Sequence, residues 1–317
     1  MRHLLRTVGF LAIVIAPAIR VSAQTEVRGK DGQSQAQTVT QRPVKRPPAP
    51  LFRKHHRGTY FDAQGVEVVD ATPQSPPLET DDPGVPDKGE YEINFTTQAD
   101  LSRDVQHIDL LFVDANYGVA PKFAGHELPT QVKFEFPVAA VTGKGSPFVA
   151  GVGGAKVGLK FNFYNNEHKG VSLAFYPQIE FTVAGSGSVK KGLAEPGQTL
   201  ILPLLASKEL KYLTLVANGA VNAPIHDSER ETTGTFGVGF GRAMRRKLAA
   251  MVEVRAESTF DLKRDRLVML KGGLIREVGH HIVYASVGRS LFSDDGFAHT
   301  YVGLGMKVLV TPSTHVP

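Results

Sequence analysis

From 171 to 183 the chain alternates with a period of two. Val171, Leu173, Phe175, Pro177, Ile179, Phe181 and Val183 are apolar, while Ser172, Ala174, Tyr176, Gln178, Glu180 and Thr182 are small, aromatic or polar. Side chains on a strand point alternately to opposite faces, so this stretch carries one greasy and one wet surface for its whole length. A tilted strand crosses a bilayer core in about 9–11 residues, which this stretch exceeds. The same period recurs at 90–96, 131–136, 156–164, 212–222, 233–241, 249–257, 266–274 and 301–310. It is less regular at 107–116, 200–207 and 281–289, and the twelve stretches together predict twelve strands.

The connections fit a strand meander that begins and ends on one side of a membrane. Segments 138–151, 184–198, 223–231, 258–265 and 291–298 are longer and fall on the outer side; 165–170, 208–211, 243–247 and 277–280 are shorter and fall on the inner side. Segment 102–106 is short for an outer loop and 118–130 long for an inner turn. A soluble two-sheet sandwich also alternates, but its strands are usually about 5–6 residues long. The predicted wet face is rich in Gly, Asn, Thr and Tyr, which suits a confined lumen. The fold class expected is therefore all-β, a transmembrane antiparallel up-and-down β-barrel of about 12 strands, occupying 89–310.

The rest of the chain sets the context. Arg2, His3 and Arg6 precede an apolar run over 8–19, then Val21-Ser22-Ala23 before Gln24, the pattern of a signal peptide removed after 23. An uncleaved anchor helix is the alternative, but it needs roughly 20 apolar residues. Residues 24–88 are rich in Pro and polar residues and are expected to be a disordered, flexible periplasmic segment. Within it, 60–61 and 66–69 are expected to form a short hairpin or to dock in the barrel mouth. The basic run Arg53-Lys54-His55-His56-Arg57 reads most simply as a solvated patch, with contact to cell wall, lipid phosphate or a partner as the alternative. Residues 311–317 form a short tail after the last strand. There is no cysteine, which removes disulfides, thiolate chemistry and iron–sulfur clusters. The excess of 36 Lys+Arg over 31 Asp+Glu is modest and carries no nucleic-acid footprint.

Several motifs carry a resemblance. Thr80-Asp81-Asp82-Pro83 followed by Gly89-Glu90-Tyr91-Glu92-Ile93-Asn94, then Asp114-Ala115-Asn116-Tyr117-Gly118, Val132-Lys133-Phe134-Glu135-Phe136-Pro137, Gly158-Leu159-Lys160-Phe161 and Leu173-Ala174-Phe175-Tyr176-Pro177-Gln178 run in that order. Glu195-Pro196-Gly197 and Leu202-Pro203-Leu204 continue the series. This chain resembles a family of bacterial outer-membrane "transporter" proteins grouped with the phenol-degradation (MetA-pathway) outer-membrane proteins. The resemblance implies a barrel passing small hydrophobic or aromatic molecules, and no catalytic residue. The chain departs from the family in its long Pro-rich segment before Thr80, in 121–128, and in the tail after Val310. It also has no Trp for interfacial belts, leaving Tyr and Phe to supply them.

No constellation marks an enzyme. His226-Asp227-Ser228 has triad residue types, but adjacent positions cannot converge as a triad must. Ser293-Asp294-Asp295-Gly296 is a turn, with too few carboxylates for a calcium cage. His280 and His281 point to opposite faces if they lie on a strand, and His55-His56 share that limit. The glycines at 151–154 and 237–241 lack the Gly-Lys-Ser/Thr ending of a phosphate loop and instead leave room inside a barrel. No catalytic, cofactor or metal residue is assigned. The informative set is the wet face, where Glu90, Glu92, Lys133, Glu135, Lys156, Lys160, Glu180, Glu253, Arg255, Glu257 and Lys307 are predicted to point into the lumen. Such charges either line a water-filled pore and tune its selectivity or pair across the lumen and close it. The function expected is passive or facilitated passage of small solutes across an outer membrane. The partners are then lipid, the solute and the outer-membrane assembly machinery. The alternatives are a closed structural or interaction barrel and, more weakly, a barrel-embedded hydrolase.

Overall fold

The computed structural model describes residues 54–55, 59–61, 67–225, 227, 229–295 and 299–310. The expected signal peptide, most of the Pro-rich segment and the tail lie outside them, as do His226, Ser228 and Gly296. A small antiparallel sheet comes first: β1 (Lys54–His55), β2 (Thr59–Phe61) and β3 (Glu67–Val69). The expected hairpin forms between β2 and β3, and the Val69 amide also donates to the Arg246 carbonyl (2.8 Å).

The remaining long strands are β4 (Tyr91–Leu101), β5 (Val105–Val119), a two-stranded outgrowth β6 (Lys122–Phe123) and β7 (His126–Glu127), β8 (Thr130–Gly143), β9 (Ser146–Val152) and β10 (Gly154–Asn166). They continue as β11 (Val171–Phe175), β12 (Gln178–Thr182), β13 (Gln198–Glu209), β14 (Thr214–Ile225) and β15 (Thr233–Arg245). The series ends with β16 (Leu248–Thr259), β17 (Leu267–Val278), β18 (His281–Ser293) and β19 (Thr300–Val310). Each pairs antiparallel with its neighbour, and β19 pairs with β4 from Thr300↔Leu101 to Val310↔Tyr91, which closes the sheet. β9 and β10 both pair with β8, and β11 and β12 both lie between β10 and β13. Each pair is one strand interrupted once, at Gly153 and at Tyr176-Pro177. The barrel thus has the twelve strands expected, closed by the pairing of β19 with β4.

Polarity is reversed relative to a water-soluble globule. Phe95, Phe134, Leu159, Phe175, Phe236 and Leu304 are exposed on the outside, whereas Asn94, Asp114, Lys160, Glu253 and Lys271 are buried inside. The less regular strands have local causes. In β5 the register shifts between Asp109 and Leu111, so Leu110 and Leu111 both face outward while Asp109 and Asp114 stay inside. In β18 and β13 the inner face is itself partly apolar. Ile282 and Tyr284 pack with Val69, Leu78, Met251 and Ile275, and Leu205 packs with Ala174 and Tyr176.

One expectation about the connections is corrected. Segment 138–151 is not a loop: β8 and β9 run on as a hairpin turning at 144–145, where Gly145 takes a φ of 81°. The small buried Ala139 and Ala140 blur the alternation there. Segment 118–130 carries the β6–β7 hairpin. The longest remaining connection, 183–197, folds back on β9, with Leu193 buried and Ser188 Oγ donating to the Val152 carbonyl (2.6 Å).

The largest correction concerns the segment expected to stay flexible as far as Lys88. From Asp70 onward it runs inside the barrel. Its seat is cut by glycines: a Cβ on Gly241 would overlap the Ala71 carbonyl, and one on Gly118 would overlap the Asp87 carbonyl. Residues 237–241 therefore leave room for another stretch of chain, since Gly237 and Gly239 face Thr80 and Pro73.

Candidate functional site

The lumen is a built polar site, and the inner segment supplies Glu79 and Asp81 to its ion pairs. On β16, the carboxylate of Glu253 is fully buried and accepts the backbone amides of Glu79 (3.0 Å) and Thr80 (2.7 Å). Glu79 in turn meets the Arg255 guanidinium at 2.5 Å and the Lys271 ammonium from β17. Burial lifts the Glu79 carboxyl, but Arg255 and Lys271 outweigh it and hold it at about 2. On the opposite wall, Lys160 of β10 pairs with Asp81 (3.0 Å) and donates to the Asp82 carbonyl (2.9 Å), and Asn162 donates to the Pro83 carbonyl (2.9 Å). Lys307 of β19 bridges Glu92 (2.8 Å) and the side-chain oxygen of Gln74 (2.5 Å).

Of the residues predicted to face the lumen, Lys133, Glu135, Lys160, Glu253 and Lys307 are buried within the barrel. Lys133 reaches Glu135 (2.9 Å) and Asp114 (3.4 Å), Lys156 reaches Glu135 (3.1 Å), and Arg255 also holds Glu257 (2.9 Å). Glu180 stands beside Lys156 in the register. Glu90 sits at the mouth, where its carbonyl accepts the Gly118 amide (2.9 Å). Tyr176, at the strand break, stacks its ring under the ammonium groups of Lys160 (5.1 Å) and Lys133 (5.7 Å).

Sequence reasoning missed the acids of the inner segment, because a Pro-rich stretch before a barrel carries no period to read. It also passed over Asp114 and Lys271. Lys271 shares the inner face with Met269 and Gly273 in the 266–274 alternation, so its signal was present. Among the described residues, no group of three or more His, Asp or Glu is arranged to hold a metal.

The inner segment leaves space on both sides. At the end where the long connections lie, a cavity of about 470 Å³ is bordered by Glu79, Lys133, Lys156 and Arg255 on one side and by Ile201, Pro203 and Asn218 on the other. At the turn end lies a vestibule of about 540 Å³, bordered by Asp82, Asp87, Asn162 and Glu209. A narrow space of about 70 Å³ shares Asp81 and Lys133 with the first, and Asp82 and Gly84 with the second. The clamp of Asp81 and Asp82 on Lys160 therefore sits where the two ends approach.

No family model matches the chain, and no curated protein matches it either. Solved structures do. An outer-membrane channel from Pseudomonas putida superposes with a TM-score of 0.55 at 11% identity, covering 72% of this chain and 97% of the channel. The shared fold is the closed barrel. More distant matches are the KdgM porin (TM-score 0.42, 8% identity, 68% of this chain and 98% of the porin) and the β domain of the Bordetella autotransporter BrkA (0.44, 15%, 69% and 98%).

Proposed function

We propose that this chain is an outer-membrane channel through which small solutes pass passively, beside its inner segment rather than down an empty axis. The carrying observation is the pair of polar cavities at opposite ends of one closed barrel, which share lining residues through the narrow space at Asp81 and Asp82. That space, about 70 Å³ against about 470 and 540 Å³ at the two ends, is the narrow point of the route. Ions and small molecules can then cross only when the Lys160 clamp yields. The superposition on an outer-membrane channel supports the location, with the turn end in the periplasm and the loop end outside. Passage of hydrophobic or aromatic solutes, implied by the family resemblance, belongs to the same reading. The 1–23 signal peptide and the assembly machinery would bring the chain to that membrane.

A second reading is a closed barrel that acts as a scaffold. It is favoured by the number of bonds fastening residues 74–83 to the wall. Planar-bilayer recording of the refolded chain separates the two. Discrete current steps are expected, small and brief because the clamp must open. Efficient insertion without steps would establish the closed barrel instead.

A further inference from the structure

We infer that the outward rim of β15, β16 and β17 at the turn end binds an anionic phospholipid of the surrounding leaflet. Arg242, Arg245 and Arg276 take its phosphate, and the apolar face beside them takes its acyl chains. The inference rests on the outer-membrane location in the reading above, and not on passage through the lumen.

The register fixes which way these side chains point. Gly241 turns inward to the Ala71 carbonyl, so its neighbour Arg242 turns outward, where it is exposed. Ile275 is buried inside, so Arg276 is likewise outward and exposed. A bulge between Ala243 and Arg245 shifts the pairing and sets the exposed Arg245 opposite Leu248. Leu248 stands opposite Arg276 in turn. Opposed residues share a face, so Arg245, Leu248 and Arg276 form one outward row. Its two arginines are two strand spacings apart, about 9–10 Å between backbones. Two guanidinium side chains can close that gap on one phosphate. Arg242, opposite Ala250, is the next outward cation away from the turn.

These charges are not spent inside the protein. Among the described residues, none of the three guanidinium groups has an ion-pair partner, and Glu277 in the next turn is taken by Lys247 (3.3 Å). Arginine keeps its charge at any working pH and grips a phosphate with two parallel hydrogen bonds. What stands beside the cations favours a lipid over a free anion. Phe240, Val252, Leu274 and Val283 are exposed on the same outward face. Ala250, between Arg242 and Leu274, leaves a shallow trough that runs from the charges into this apolar face. A ligand that fills both halves joins a negative phosphate to hydrocarbon. A zwitterionic headgroup brings its own ammonium, which three arginines repel, whereas an anionic headgroup brings none.

The test is native mass spectrometry of the full chain refolded in detergent, with dioleoylphosphatidylglycerol or dioleoylphosphatidylethanolamine added. The anionic glycerol lipid should be retained several-fold more than the ethanolamine lipid. Arg242→Gln/Arg276→Gln should abolish that preference in a barrel that still folds. Faster migration of unboiled than boiled protein on a gel verifies the fold. Arg289, next to the inward Gly288, is exposed on the outward face of β18 toward the loop end. Arg289→Gln removes an equal charge there and should leave the preference intact. Inorganic phosphate at the lipid's concentration should not displace it; displacement would mean that the arginines read a phosphate alone, which overturns the lipid assignment. Equal retention of both lipids by the native chain overturns the inference. A folded double variant that keeps the preference does so too, as does an equal loss in Arg289→Gln. Failure of the refolded chain to insert into vesicles of these lipids overturns the membrane location and this inference together. Absence of current steps from inserted protein overturns the passage reading alone.

Discussion

Asp70 and Glu79 belong to the same inner segment, yet their surroundings push them in opposite directions. Burial, with the Asp82 charge adding to it, raises the Asp70 carboxyl from 3.8 to about 6, whereas Glu79 is held at about 2 against an ordinary 4.5. The linkage signs follow. The lowered Glu79 contributes stability that is fully present above about 4.5 and is lost as the pH falls toward 2. The raised Asp70 penalises the seated state when ionised, and that penalty fades as the pH falls through 6 toward 3.8. The segment should therefore be seated more firmly near pH 5 than near pH 7.5, with acid release only below about 4. Hydrogen exchange of the 70–88 amides, corrected for intrinsic rates, should show stronger protection at the lower of those two pH values. In Asp70→Asn the difference should shrink, with protection at pH 7.5 rising to meet it. Equal protection of the native segment at both would mean that Asp70 is not strained by its seat.

Strands make their prediction through their two faces. In the β11–β12 strand, Phe175 and Ile179 are exposed outward, while Tyr176 and Gln178 turn to the cavity. The Tyr176-Pro177 interruption does not invert this order. The Tyr176 amide still reaches the Pro203 carbonyl (3.0 Å), and the Leu159 amide reaches the Pro177 carbonyl (3.0 Å). Proline, which has no amide hydrogen to give, is tolerated there. Phe175→Arg places a cation against lipid and should cost roughly 2–4 kcal/mol of folding stability if near the bilayer midplane. Gln178→Arg puts the same charge in water beside acids and should fold normally with an altered current. Denaturant titration in vesicles compares the two directly, and equal tolerance would sink the membrane-facing assignment of this strand.

For the molecule as a whole, the question is whether barrel and inner segment depend on one another. Sheet closure uses backbone pairs alone, from β4 around to β19, so it does not require residues 67–88. Those residues do supply the apolar contacts of Val69 and Leu78, and the partners of Arg255, Lys271 and Lys160. Removing one member of a buried ion pair leaves a charge stranded, typically at a cost of about 3–5 kcal/mol. In a lumen that fills with water the stranded lysines can be hydrated, which reduces that cost. A chain lacking 67–88 is therefore expected to insert with a lowered melting temperature and to conduct in steps several-fold larger than the full chain. Steps of unchanged size would place the resistance elsewhere, for example at the folded-back connection 183–197.

The sequence by itself determined the twelve strands, their order and which face of each is apolar and turned outward. The reason is local: side-chain direction alternates with every residue, so a period of two along the chain sorts apolar and polar positions onto the two faces of the sheet. Where that code weakened, as at Leu110 and Leu111, at Ala139 and Ala140, or at Ile282, a bulge or an apolar patch of lumen had replaced the simple alternation. Lys133, Glu135, Lys160 and Arg255 were legible as inward charges for the same reason. Their partners were not. Glu79 and Glu253 are 174 positions apart, and Lys160 and Asp82 are 78 apart. No local period encodes such meetings, because charge pairing depends on distance in space and not on spacing along the chain. Only the tertiary structure decided that the Pro-rich approach to the barrel enters it, and that the glycines of β15 exist to let it in.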